Sequence, residues 1–137
     1  MNRKGFTLIE LLAVIILISV ITLITIPSIK YASKKINERN YDTKLKMIKA
    51  SAEDYGDDYK EIILYNAEDT YTDPKDNRAY PALTVTVSDL LTNGYLVKDS
   101  DIDRDDILDP RDKSSLKNKT ITIYIKNNNA YAVLNFS

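Results

Sequence analysis

The largest group of side chains that could do chemistry is an acidic stretch in the second half of the chain. Residues 99–112, DSDIDRDDILDPRD, contain seven aspartates in fourteen positions. Clustered carboxylate oxygens suit hard divalent cations, and the spacing predicts a calcium-binding loop. The candidate ligands are Asp101, Asp103, Asp105, Asp109 and Asp112. The sixth place of the loop is Asp106 instead of glycine, so the stretch is not an EF-hand. The alternative is a solvated loop that Arg104 and Arg111 partly neutralise.

A single acid near the amino terminus is the second candidate. Glu10 is the only charged residue in the run from Phe6 to Ile29, FTLIELLAVIILISVITLITIPSI. A charge inside a membrane helix costs about 2.5–3.5 kcal/mol on insertion scales, and such residues usually have a function and a partner. The run itself supplies no cation. The alternative is a tolerated glutamate, close enough to the helix end to reach the membrane interface.

The composition excludes several kinds of active site. The chain has no cysteine and no histidine, which removes disulfides, thiol catalysis, imidazole bases and the usual zinc sites. No pair of nucleophile and base is visible among the other residues. We therefore expect that the chain is not an enzyme and requires no cofactor, and that calcium is the cation its acidic stretch could hold.

Charge is distributed unevenly along the 137 residues. Residues 1–50 carry nine Lys and Arg against three Asp and Glu, whereas residues 51–137 carry ten against seventeen. The basic part flanks the apolar run, where cations can meet lipid phosphates. The acidic part disfavours contact with a polyanion. We therefore expect no nucleic-acid binding by this chain alone.

The apolar run predicts a membrane anchor. A helix of about 20 residues crosses the hydrocarbon core, and the run from Phe6 to Ile29 is longer than that. A secretory signal has a shorter apolar region with its cleavage site behind it, whereas here Gly5 stands in front. Two Lys and Arg precede the run and four follow it closely, so the positive-inside rule alone would place the carboxyl-terminal side in the cytoplasm.

The start of this run resembles a known family. KGFTLIE, residues 4–10, couples a glycine, an aromatic residue and an acid to an uninterrupted apolar helix. It closely resembles the amino-terminal signature of type IV prepilins and related pseudopilins. The abundance of Lys, Ile and Asn indicates an AT-rich genome and favours a Gram-positive source.

The resemblance implies a processing and assembly pathway. A membrane-embedded peptidase would cut between Gly5 and Phe6, and Phe6 would be N-methylated. The new α-amino group of Phe6 would meet Glu10 of a neighbouring subunit during filament assembly. Pro27 would match the proline that kinks the helix in many pilins, because proline removes a backbone hydrogen bond. The resemblance places the amino terminus in the cytoplasm, opposite to the charge count.

The pattern after the run predicts that the helix continues. Apolar residues recur four and three apart, in the order Tyr41, Leu45, Ile48, Ala52, Tyr55, Tyr59 and Ile62. This spacing forms a stripe on one helix face. A two-stranded coiled coil is the alternative, but Gly56 would weaken its seam because glycine costs about 1 kcal/mol relative to alanine. We expect the stripe to pack on the protein's own sheet, as the resemblance also implies.

The remaining residues predict a small β-rich part. Residues 66–82 are polar, contain two prolines and predict a loop. Thr86 and Asp89 could form a capping box for a short helix that stops at Gly94.

A hairpin is predicted at the end of the chain. In residues 120–136 an even-numbered loop would place one set of apolar residues together on the buried face. These are Ile121, Ile123 and Ile125 beside Ala132, Leu134 and Phe136.

The acidic loop carries a second resemblance. Asp109-Pro110 matches the first two residues of an Asp-Pro-Trp-Gly phrase that lies beside a calcium-binding loop in major pseudopilins of type II secretion, and Arg111 and Asp112 follow here. This resemblance also implies calcium.

The predicted fold class is α+β and pilin-like, with one very long amino-terminal helix packed on a small carboxyl-terminal antiparallel sheet. The predicted segments are a leader (1–5), the transmembrane half of the helix (6–29), its amphipathic half (30–65), a variable loop (66–82) and a β-rich part (83–137) that includes the hairpin.

The resulting hypothesis is a structural subunit, a prepilin that is cleaved, methylated and assembled into a type IV pilus-like filament at the cell surface. Its partners would be identical or related pilin subunits, the prepilin peptidase and methyltransferase, the membrane assembly machinery and, before assembly, the lipid bilayer of the cytoplasmic membrane. The alternatives are a pseudopilin of a type II secretion-like or DNA-uptake system, and a membrane-anchored binding module that never polymerises.

Overall fold

The computed structural model describes residues 5–99 and 106–136, except for the side chains of residues 24–27. The chain forms two compact units, Met1–Glu38 and Arg39–Ser137. The helices are α1 (Leu8–Asp58), α2 (Lys60–Asn66) and α3 (Val87–Thr92), and the strands are β1 (Asp69–Asp73), β2 (Arg78–Thr86), β3 (Thr120–Lys126) and β4 (Asn129–Leu134). A long amino-terminal helix followed by a small sheet confirms the predicted α+β, pilin-like layout.

In the first unit, the large apolar side chains of α1 are not covered by other described parts of the chain. They are all exposed, from Val14 at 46% to Leu8 at 88%. A helix that is apolar on every side needs surroundings other than water. The helix continues without interruption through Pro27, whose side chain lies outside the described residues, so the kink stays a prediction.

The second unit packs the later part of α1 against one face of the sheet. Ile48 and Ala52 of the predicted stripe are fully buried in the core. A Cβ added at Gly56 would lie 2.5 Å from Cγ2 of Ile123 and 2.7 Å from Cβ of Ala130. The helix can therefore approach the hairpin this closely only because residue 56 has no side chain. The stripe packs on the protein's own sheet, as predicted.

The predicted extent of the amphipathic helix is wrong. The sequence predicts one helix over 30–65, but α1 ends one residue before Tyr59 and α2 begins one residue after it. Tyr59 has a ψ of 14°, far from the helical value of about −42°. The turn at this residue shifts the phase of the helix. Ile63 therefore enters the core at 2% exposure, and Ile62, the last residue of the predicted stripe, is 53% exposed.

Residues 66–82 are not the loop that their composition predicts. They contain β1 and the first part of β2, which pair antiparallel from Asp69↔Ala82 to Asp73↔Arg78. Pro81 lacks an N–H and would weaken a strand that is paired on both sides. The pairing of β2 with β3 begins only at Ala82, so Pro81 lies just before that ladder and the strand tolerates it.

The sheet has the order β1-β2-β3-β4 with every neighbouring pair antiparallel. The predicted hairpin is confirmed as β3 and β4, joined by the two residues Asn127 and Asn128. Both have positive φ, 51° and 67°, as a type I′ turn requires. The even-numbered loop sets the predicted register, with Ile121↔Leu134 and Ile123↔Ala132. Phe136 follows the end of β4 and is only partly buried against the core.

The short helix α3 is capped as predicted. The Thr86 hydroxyl accepts a hydrogen bond from the Asp89 N–H at 3.2 Å, and the Thr86 N–H donates to the Asp89 carboxylate at 2.7 Å. Gly94 has a φ of 79° beyond the helix end, the left-handed conformation that favours glycine at this position. The capping box and Gly94 therefore define the path of the chain between β2 and the acidic stretch.

Candidate functional site

The predicted scissile pair lies in front of α1 and has no helical structure. Gly5 and Phe6 precede the helix, which begins at Leu8. Among the described residues, no atom would lie within 4 Å of a Cβ at Gly5, and Phe6 is 82% exposed. Backbone in this state is accessible to a peptidase, as the predicted cleavage requires.

Glu10 has a hydrogen-bond partner that the sequence analysis missed. The N–H and the hydroxyl of Thr7 both donate to Oε2 of Glu10 at 3.0 Å. The Glu10 N–H donates in return to the Thr7 hydroxyl oxygen, at 3.4 Å. This reciprocal arrangement is a capping box, and it satisfies backbone donors at the start of α1. The signal was present in the sequence, since Thr-x-x-Glu directly before an apolar run is the pattern of a capping box.

The capping box leaves room for the predicted pairing of Glu10. Both donors from Thr7 use Oε2, and Oε1 has no hydrogen bond within the part of the chain that the structure describes. Hydrogen bonds lower the cost of placing a carboxylate in an apolar environment, but they do not cancel its charge. Glu10 can therefore stabilise the helix start in one subunit and still attract a cation from another.

Other polar side chains in the apolar run bond to the helix itself. The Ser19 hydroxyl donates to the Ile15 carbonyl at 2.8 Å, and the Thr22 hydroxyl donates to the Ile18 carbonyl at 2.7 Å. Such bonds to the preceding turn satisfy hydroxyl groups where no water is present. By length and composition, α1 is the one helix in the described part of the chain that could cross a membrane.

The acidic stretch contacts the second part of α1 through Lys44. The Lys44 ammonium donates to both carboxylate oxygens of Asp99, at 3.0 and 2.8 Å, and to the Leu108 carbonyl at 2.7 Å. The Leu108 N–H donates to the same carboxylate at 2.9 Å. Burial alone would raise the pKa of Asp99, but the Leu108 N–H and the Lys44 ammonium outweigh it and hold the pKa below its usual value. Lys44 thus joins Asp99 and Leu108 of the stretch to the helix.

Asp109 and Arg111 form a second contact with the same helix. Two guanidinium nitrogens of Arg111 donate to the Asp109 carboxylate, Nε to Oδ1 at 3.0 Å and Nη2 to Oδ2 at 2.6 Å. The guanidinium also lies over the ring of Tyr41, 3.4 Å from its centroid, a cation–π geometry. The bonds from Arg111 lower the pKa of the buried Asp109 carboxyl. This ion pair therefore packs the acidic stretch against α1.

Of the five predicted calcium ligands, the structure describes Asp109 and Asp112. Asp101, Asp103 and Asp105 lie outside the described residues. Asp109 is occupied by Arg111, and the Asp112 carboxylate accepts the Ser114 N–H at 2.9 Å. Among the residues that the structure describes, no three acidic side chains are grouped closely enough to hold a metal ion. Calcium binding stays a prediction from the sequence.

The amino-terminal geometry agrees with a family comparison. The profile of the prokaryotic N-terminal methylation motif matches residues 1–26, which include Gly5, Phe6 and Glu10. The match covers 26 of the 137 residues and supports the resemblance of this segment to type IV prepilins and pseudopilins. The apolar helix with this motif indicates a membrane-anchored protein.

Two curated relatives come from Gram-positive bacilli. The ComG operon protein 3 homolog of Bacillus licheniformis is 39% identical over 59 residues, which cover 43% of this chain and 61% of the relative. The competence protein ComGC of Bacillus subtilis is 29% identical over 100 residues, which cover 73% of this chain and 81% of the relative. The chain thus spans less than two thirds of the first relative. No solved structure matches it.

Proposed function

We propose that this prepilin is cleaved between Gly5 and Phe6, remains in the membrane through its apolar helix, and is assembled into a filament of the competence type. The observation that carries the proposal is the methylation motif over residues 1–26, which coincides with an exposed cleavage pair and an acid inside an apolar helix. Its partners are further copies or related pilin subunits, a prepilin peptidase and methyltransferase, and the membrane assembly machinery.

Cleavage changes the electrostatics of the amino terminus. It releases residues 1–5, with Arg3 and Lys4, and it creates an α-ammonium group on Phe6. That cation cannot reach the membrane interior unless it is paired, and the Glu10 carboxylate of a staggered neighbour supplies the opposite charge. Each subunit then contributes one cation and one carboxylate to successive contacts. The pairing sets the axial register of the filament.

The orientation follows from the same pathway. The peptidase acts at the cytoplasmic side, so the amino terminus lies inside and the Arg39–Ser137 unit lies outside. The count of Lys and Arg around the run favours the reverse orientation. Protease protection of the uncleaved Gly5→Leu variant in right-side-out vesicles tests the point directly, because the outer unit should be digested while a tag before residue 5 survives.

The names of the relatives favour one system over another. Both relatives are named for the ComG operon or for competence, so a DNA-uptake filament is a better proposal than the pilus-like filament at the cell surface. Because the outer unit of this chain is acidic, we expect other proteins of the system to make the contact with DNA.

The first experiment is intact-mass measurement of the chain purified from its own membrane. The proposal expects the mass of residues 6–137 plus one methyl group. Gly5→Leu should keep the full-length mass, because a large side chain beside the scissile bond blocks the peptidase. Leu17→Ala is the control and should be processed normally.

The alternative of a binding module that never polymerises predicts a different mass. Such a module would keep residues 1–5 in the wild-type chain. The Gly5→Leu variant would then have the same length as the wild type. A wild-type chain of full-length mass in cells with an active peptidase would contradict the proposed function.

A further inference from the structure

Cationic and aromatic side chains follow directly after the apolar run. We call Lys30, Tyr31, Lys34 and Lys35 the collar. All three lysines are exposed, and Tyr31 is 72% exposed. Across the described parts of the chain, none of these lysine side chains has an ion-pair or hydrogen-bond partner, and Glu38, the nearest acid along the helix, pairs with none of them. Their charges are therefore available to a ligand.

The position of the collar along the helix fits a headgroup layer. Helix residues 8–29 rise about 1.5 Å each, or about 33 Å in total, close to the hydrocarbon thickness of about 30 Å. The next turn and a half then lies among the lipid headgroups, where Tyr and the long stems of Lys are favoured. Ile29, at 62% exposure, marks the apolar edge of this layer.

The collar is arranged on one side of the helix. At about 100° per residue, Lys30, Lys34 and Lys35 spread over about 140° of the circumference, with Tyr31 between the last two. A headgroup layer surrounds the helix and can meet every one of these side chains.

We propose that the collar binds the phosphate groups of anionic glycerophospholipids and prefers them to zwitterionic lipids. Each lysine near an anionic surface contributes a factor of about five in affinity, so the three together give about a hundredfold. The collar would hold the subunit at a fixed depth until assembly extracts it. This inference rests on the membrane-anchored stage of the proposed function.

The test uses the full chain in micelles of a non-ionic detergent, titrated with phosphatidylglycerol or with phosphatidylcholine of the same acyl chains. Bound lipid is counted by native mass spectrometry. The wild type should bind phosphatidylglycerol about a hundredfold more tightly than does the triple variant Lys30→Gln, Lys34→Gln, Lys35→Gln. The control removes three exposed lysines elsewhere, Lys46→Gln, Lys49→Gln and Lys119→Gln, and should bind like the wild type.

Three results would overturn the collar site. The wild type could bind both lipids equally, the control triple could lose as much affinity as the collar triple, or soluble glycerol phosphate could compete at the lipid's own concentration, which would indicate a free-phosphate site. Failure of the proposed function looks different. A chain that stays soluble without detergent would refute the membrane anchor, whereas a chain that needs micelles but shows no headgroup preference would refute only the collar.

Discussion

Helix α1 contains two regions with the same secondary structure and opposite surroundings. Ahead of Glu38, its large described apolar side chains are all exposed. From Arg39 onward, one face of the helix is buried against the sheet, and Ile48 and Ala52 have no exposed surface. The first region has apolar residues on every side of the helix, whereas the second has an apolar stripe and a charged face.

This difference indicates that one region of α1 contributes to folding and the other to assembly. The second region obtains its stability from contacts within the chain, so its substitutions should change the free energy of unfolding. The first region must obtain its contacts from lipid or from other subunits, so its substitutions should change membrane behaviour and filament formation. Matched substitutions in the two regions test this separation.

The largest expected effect on stability is at Ile48. Ile48→Ala removes a fully buried side chain and leaves a cavity, which should lower the free energy of unfolding by about 4 kcal/mol. Ile15→Ala, in the exposed region of the same helix, should change it by less than about 0.5 kcal/mol. Both values are measured by urea unfolding of the detergent-solubilised chain, with the near-ultraviolet circular dichroism of its tyrosines as the signal. Equal losses for the two variants would contradict the separation.

A pair of glycine substitutions gives the next largest effect. Gly56→Ala would improve helix propensity by about 1 kcal/mol, but its Cβ would overlap Ile123 and Ala130. Overpacking should prevail, with a net loss of about 2 kcal/mol. Gly5→Ala meets no described atom and should leave unfolding unchanged. If Gly56→Ala proved more stable than the wild type in the same urea assay, the close approach of helix and hairpin would be wrong.

A smaller loss is expected for Lys44. Lys44→Met keeps the aliphatic stem but removes the bonds to Asp99 and to the Leu108 carbonyl, at a cost of about 1.5 kcal/mol. Lys35→Met, in the exposed region, should have no effect on stability. Thermal unfolding of both variants checks this. An undiminished melting temperature for Lys44→Met would mean that the acidic stretch does not depend on this contact.

The smallest expected effect is on the pH dependence of unfolding. The pKa values of Asp99 and Asp109 lie below the ordinary value of 3.8, so the unfolded chain binds protons first as the pH falls. The stability from these groups is complete above about pH 4 and decreases as the pH falls toward their folded pKa values. Lys44→Met should flatten this decrease. An acid titration with the same slope for the variant and the wild type would contradict the role of Lys44 at Asp99.

The fold was predictable where a periodic pattern and a local turn signal agreed. The stripe that contains Ile48 and Ala52 is buried as predicted, and the Asn127-Asn128 turn gives the predicted register of the hairpin. The break at Tyr59 was not predictable, because the apolar spacing continues through it. Likewise, the polar composition of 66–82 hides β1, whose pairing depends on β2.

The residues of the candidate site form a local motif, whereas several of its contacts join distant parts of the chain. Gly5, Phe6 and Glu10 form a local motif, and the motif profile matches them. The Thr7 capping box is also local, because Thr-x-x-Glu directly before an apolar run is its sequence pattern. The contacts of Lys44 and Arg111 join residues far apart in the chain, and charge composition alone indicates neither their pairing nor their burial.

The most direct test of the assembly account is Glu10→Val in cells that carry the processing and assembly machinery. Electron microscopy counts the filaments, and intact mass confirms cleavage. The account predicts a processed, membrane-inserted chain and almost no filaments. The control Glu38→Val, which removes an exposed acid after the apolar run, should assemble normally. Filaments from Glu10→Val in wild-type number would contradict the role of this carboxylate in assembly.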